Sequence, residues 1–128
     1  MKLASLKGPT RDGRLVLVNR DLTQAVVVPA IAPTMQHALE NWGGVHRKLL
    51  DAYESLACGG ERHAFDFRAA LAKGEVAAPL PRAYEWLDGS AFLSHVERVR
   101  RARNDHVPET FYRDPLMYQG GAGDMAGP

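Results

Sequence analysis

The chain has 128 residues, 45% hydrophobic and 24% charged, with a formal net charge of +1. That length fits one domain, or one small domain with part of a second, and the proportions are those of a globular chain rather than a disordered one. The small net charge excludes a global field for nucleic acid or anionic lipid. The single cysteine, Cys58, excludes an internal disulfide, and no apolar run approaches the roughly 20 residues that cross a bilayer.

The first residues, Met1-Lys2-Leu3, lead into a strand-like segment rather than a signal-peptide core, so the expected compartment is the cytoplasm. "KLASL" alternates, and "RLVLVN" and "QAVVVPAIA" are apolar and rich in β-branched residues. "GPTRDG" and "NRDLT" supply turn chemistry between them, which predicts a small antiparallel strand set over residues 1–32. From Thr34 to Ala57 the period changes. Met35, Ala38, Leu39, Trp42, Leu49, Tyr53 and Leu56 recur at three and four, the spacing of one helix face. Thr34 suits the N-cap of this long helix and Gly59-Gly60 its end, with a break possible at Gly43-Gly44. "AFDFRAALAKG" reads as a short strand or a helical turn. Pro79 and Pro81 interrupt whatever precedes them, which sets a boundary near residue 78.

Beyond that boundary, Asp88 or Ser90 can cap a helix running to about Arg103. "VPETFYRDPLMYQGG" returns to extended structure, and "GAGDMAGP" has loop composition without the spacing of a dinucleotide fingerprint. The chain stops soon after its most aromatic extended stretch, which reads as a fragment of a longer protein. The expected class is α+β. Residues 1–78 are expected to form a small domain of short antiparallel strands and a long helix. Residues 79–128 are expected to form a helix and extended segments that open a second domain whose remainder is missing.

The chemistry-bearing residues concentrate in "DGSAFLSHVERVRRAR". With Asp88 at the N-cap and His95 seven residues on, both point to one helix face, about 10 Å apart along the axis. That gap suits a metal held by Asp88 and a water reached by His95 as general base. Phe92, Val96 and Val99 share the stripe with His95, so the histidine is expected to face inward. A plainer reading of the same residues is an N-cap aspartate and a hydrogen-bonded core histidine. Arg98, Arg100, Arg101 and Arg103 read as a solvated helix face rather than a nucleic-acid surface. His37, His46, His63 and His106 show no ligand spacing, and Cys58 has no catalytic partner nearby.

Taken together, "MKLASL", the long helix, "APLPRAYEW", "DGSAFLSHVERVRRAR", "PETFYRDPLMYQGG" and the closing "GP" resemble the N-terminal portion of bacterial two-domain fumarylacetoacetate hydrolase family proteins. The resemblance implies that residues 79–128 open a β-rich catalytic domain, a mixed β-roll. It implies that Asp88 is a metal ligand and that His95 activates the attacking water. It implies that Tyr118, in "PLMYQG", contacts substrate. It offers Arg103, one position out of the family's register, as a further substrate contact. In the acylpyruvase branch a glutamate stands three residues after the histidine, where this chain has Arg98, with Glu97 one before. The family's remaining metal ligands and its lysine would lie beyond Pro128.

The implied activity is hydrolysis of a C–C bond in a β-diketo acid, in aromatic amino acid catabolism, by a homodimeric parent. The implied cofactor is Mg, Mn or Ca, held by the parent and not tightly by this chain. The implied partners are the missing C-terminal catalytic domain and the small-molecule substrate, with neither nucleic acid nor membrane. A stand-alone, non-catalytic interaction module is the alternative.

Overall fold

The computed structural model describes residues 1–120, 125 and 127. The expected loop at "GAGDMAGP" and the closing "GP" fall mostly outside the described residues. The chain is α+β and separates into two compact units, one built on Met1–Ala83 and one on Tyr84–Ala122.

In the first unit, strands β1 (Lys2–Leu6), β2 (Arg14–Val18) and β3 (Gln24–Val27) form the antiparallel set that their apolar, β-branched runs and intervening turns predict. Two short strands, β4 (Phe65–Asp66) and β5 (Val76–Ala77), complete a sheet of order β4-β3-β2-β1-β5. Gly13, at φ +69, turns the chain into β2 beside the Leu6 carbonyl, where a Cβ would collide. At the next turn the Asn19 carboxamide oxygen accepts from the Thr23 and Gln24 N–H groups at 2.9 and 3.1 Å, which holds Leu22 at φ 57. β2 is buried on both faces over Leu15–Val18, as expected of a continuous apolar run rather than an alternating one.

Helices α1 (Met35–Glu40) and α2 (Trp42–Ala57) cover one face of this sheet. The Thr34 hydroxyl caps α1 by accepting from His37 N–H at 3.1 Å. Leu15, Leu17, Val26 and Val28 pack there against Met35, Ala38, Val45, Leu49 and Leu56. Two details correct the helical stripe. Leu39 and Trp42 are 48% and 39% exposed, and Val45 takes the inward position between them and Leu49. The helix also breaks at Asn41, not at Gly43-Gly44. Asn41 N–H still bonds the His37 carbonyl, while its own carbonyl accepts from Gly44 and Val45, so one residue ends α1 and starts α2. The two glycines then fall in the first turn of α2, with open space around each.

"AFDFRAALAKG" is both strand and helix: β4 runs straight into α3 (Phe67–Ala72), capped by Asp66, whose carboxylate accepts from Ala69 N–H at 2.9 Å. α3 links the two edges of the sheet and packs on its second face, where Phe67 joins Leu6, Val16, Val18, Ala25 and Val76. Ser5, fully buried, donates to the Pro79 carbonyl at 2.6 Å, and the Arg82 guanidinium grips both oxygens of Asp12 at 3.0 and 2.8 Å. Among the described residues no helix is long and apolar enough to cross a membrane.

Candidate functional site

The second unit is a two-stranded antiparallel ribbon with one helix. β6 (Leu87–Ser90) pairs with β7 (Leu116–Gln119), and α4 spans Leu93–Ala102. A single 3-10 turn, Glu109–Tyr112, interrupts the stretch expected to be extended throughout. The ribbon's register sets Asp88 opposite Tyr118 and Ser90 opposite Leu116. Gly120 N–H continues the ladder to the Trp86 carbonyl at 2.9 Å. Because side chains alternate along a strand, Trp86, Asp88, Ser90, Leu116 and Tyr118 share one face. The Trp86 and Tyr118 rings meet edge to face there, 5.8 Å between centroids. The Trp86 ring also occupies the space a Cβ on Gly120 would need.

This geometry corrects the expected placement of Asp88. The aspartate is not a helix cap: it lies within β6, and the N-cap of α4 is Phe92, which makes no side-chain cap bond. Asp88 and His95 therefore do not share a helix face two turns apart. His95 departs from expectation too, since it is exposed rather than inward, and Phe92 is 79% exposed. Val96 is the buried residue of α4.

Most of the expected site residues are nevertheless drawn to one side of the ribbon. Ser90 and Leu116 line a small hollow of about 90 Å³ together with His95, Arg100, Arg103 and Phe111. Asp88 is two residues along β6 from Ser90, on the face that borders this hollow, a step of about 7 Å. Tyr118 is opposite Asp88 and 61% exposed. Arg103 is the C-cap of α4. The Arg100 guanidinium lies 5.3 Å from the centre of the Phe111 ring and is ion-paired to Asp105. Hydrogen bonding from Arg100, then from the His106 N–H, holds the Asp105 carboxyl below its ordinary value. Glu97 lies within 3.4 Å of the Tyr112 hydroxyl, which donates to it.

Sequence reasoning missed Ser90 as a neighbour of His95, and missed Trp86 as the aromatic partner of Tyr118. The available signal was the alternation of "WLDGS" set against that of "LMYQG", which pairs as a ribbon once Asp88 is taken as a strand residue. Among the described residues no three His, Cys, Asp or Glu side chains gather as a metal site. A hard divalent ion takes about six oxygen ligands, so the described residues by themselves do not fit one.

No curated protein matches the chain significantly. The family model for fumarylacetoacetase N-terminal domain 2 matches residues 1–82, the unit that carries the five-stranded sheet. With well over half of its 128 residues matched, the chain belongs to the fumarylacetoacetase N-terminal domain 2 family.

Proposed function

We propose that this chain is the N-terminal part of a hydrolase that cleaves a C–C bond of a β-diketo acid. In this reading residues 1–82 are the accessory domain and the ribbon with α4 is the first piece of the catalytic domain. The observation that carries it is the gathering of His95, Arg103 and Ser90 around one hollow, beside the face that holds Asp88 and Tyr118. These are side chains of the types that such a hydrolysis needs.

The roles follow from chemistry. His95 takes a proton from water, and the oxygen attacks a carbonyl of the diketo acid. The C–C bond then breaks, and the carbon that leaves as an enolate is reprotonated. Such general-base help is worth about 10²- to 10⁴-fold in rate. Arg103 offers a guanidinium to a substrate carboxylate, and the Tyr118 hydroxyl offers a hydrogen bond at the exposed face of the ribbon. A divalent metal, Mg, Mn or Ca, would polarise the diketone. Asp88 would give it one ligand, and carboxylates outside these residues would complete the site. The parent is proposed to be a cytoplasmic homodimer.

The test separates catalysis from scaffolding in a longer polypeptide that carries this chain before a catalytic domain. His95→Ala should lose about 10²- to 10⁴-fold in rate with metal affinity nearly unchanged. Asp88→Ser keeps a small polar residue in an exposed strand but discards the carboxylate, so metal affinity should fall and activity should partly return at high metal. Full activity of Asp88→Ser at ordinary metal concentration would defeat the proposal.

A non-catalytic interaction module is the second reading. It is favoured by one observation: among the described residues of the second unit only Val96 is buried, so its apolar side chains are available to a partner. The same Asp88→Ser variant decides between the two readings.

A further inference from the structure

The second face of the five-stranded sheet is covered unevenly. α3 has six residues and is about 9 Å long, whereas four strand-to-strand steps span about 19 Å. Beside α3 lies a groove of about 420 Å³, a size within the range of small-molecule sites.

Strand pairing orders the groove from one edge of the sheet to the other. Leu6 on β1 stands between Val76 on β5 and Arg14 on β2, and Lys7 N–H bonds the Glu75 carbonyl at 2.8 Å. Glu75 therefore marks the β5 edge. Arg14 on β2 comes next, and the floor then turns apolar over Val27 on β3 and Phe65 on β4, while Lys73, the C-cap of α3 two residues before Glu75, also lines the groove. Asp66, at the far end, has its carboxylate engaged by the Ala69 N–H. Among the described residues the Arg14, Lys73 and Glu75 side chains have no hydrogen-bond or ion-pair partner.

The groove thus offers one carboxylate and two cations without partners among the described residues, with an apolar surface toward β3 and β4. Its four charges, two of each sign, cancel, which suits a zwitterion better than an anion. We propose that this groove binds a free α-amino acid with an apolar side chain. Its ammonium meets Glu75, its carboxylate lies between Lys73 and Arg14, and its side chain covers Val27 and Phe65. A peptide segment offers no adjacent free ammonium and carboxylate, and so leaves the charged half unmatched. The site uses only residues of the first unit and stands independently of the catalysis proposed for His95.

The 128-residue chain itself serves for the test. L-leucine and L-phenylalanine are titrated against it by amide NMR, beside isocaproate, which lacks the ammonium, and isoamylamine, which lacks the carboxylate. The expected result is saturable shifts at Leu6, Arg14, Val27 and Phe65 with either amino acid, and binding about tenfold weaker or worse for both analogues. Arg14→Gln should weaken leucine about tenfold, and Glu75→Gln should narrow the gap between leucine and isocaproate. Both residues are exposed, so the variants should keep the wild-type circular dichroism spectrum. If either did not, the comparison of ligands on the wild-type protein decides alone. Three results would overturn the proposal: no saturable shift with any amino acid, isocaproate as tight as leucine, or shifts that follow protein concentration instead of ligand.

Discussion

Asp88 and Tyr118 stand directly opposite one another on neighbouring antiparallel strands, although they are far apart in sequence. Directly opposed residues hold their Cβ atoms about 4.5–5.5 Å apart, so a ligand at the Asp88 carboxylate would lie within reach of the Tyr118 ring. The pairing also places Trp86 beside Tyr118, and the ring leaves no room for a side chain at Gly120.

Gly120→Ala should therefore displace the Trp86 ring and loosen the aromatic pair. The chain has two tryptophans, Trp42 and Trp86, so Trp42→Phe leaves a single reporter. In that background, Gly120→Ala should shift the emission of Trp86 to longer wavelength, as for a ring released to water. Unchanged emission would mean that the close approach at Gly120 is not kept in solution.

The corrected helical stripe makes its own forecast. Leu49 is fully buried between α2 and the sheet, so Leu49→Ala should cost about 2–5 kcal/mol. Leu39 and Trp42, at the positions the three-and-four spacing also selected, are substantially exposed. Leu39→Ala should stay within about 0.5 kcal/mol of wild type, in the range of surface substitutions. Urea denaturation of the two variants would rank them, and equal losses would restore the uncorrected stripe.

Much of the first unit was legible because its signals are local. The alternation of β1, the apolar β-branched runs of β2 and β3, the turn residues at Gly13 and Asn19, and the Thr34 cap each act within a few residues. β4 and β5 are two residues each and exist through their partners on the sheet, so no pattern of their own announces them. The site was less legible for the same reason. "LDGS" contains an aspartate and a glycine, both depleted in strands, and it reads as a cap until β7 is set beside it. The types of the site residues could be taken from the sequence, but the face they occupy depends on a pairing across the whole of α4 and the 3-10 turn.

The Asp12–Arg82 pair predicts a pH dependence. Hydrogen bonding from Arg82 holds the Asp12 carboxyl below its ordinary value. A lowered folded-state pKa gives stability that is present above the unfolded value of about 3.9 and is lost as the pH falls through the folded one. Asp12→Asn should accordingly be less stable than wild type at pH 7, with the two urea midpoints converging well below pH 4. Because the pair is solvent-accessible, added salt should shrink the difference at pH 7. A gap that persisted at low pH would assign the effect to something other than the carboxylate charge.

Metal binding by the 128 residues alone should be weak. Asp88 is the one proposed ligand among them, and magnesium yields its water reluctantly to so few partners. Calorimetry with magnesium and manganese should find no stoichiometric site tighter than about 10 µM. A tighter site would show that the ligand set had been misread.

The two units should also differ in how firmly they hold their hydrogen bonds. The first has apolar clusters on both faces of its sheet, and the second buries only Val96 among its described residues. A two-stranded ribbon is marginal in water without a packed face, and few buried contacts mean cheap local opening. In a dilute monomer, amides of β1 to β3 and α2 should exchange slowly, and those of β6, β7 and α4 faster by orders of magnitude. If the proposed catalytic domain supplies the missing cover, the same β6 and β7 amides should become protected in the longer protein, with β1 to β3 unchanged. Full protection of β7 in the isolated monomer would mean that the ribbon needs no cover, and would remove the physical reason for placing it in a larger catalytic domain.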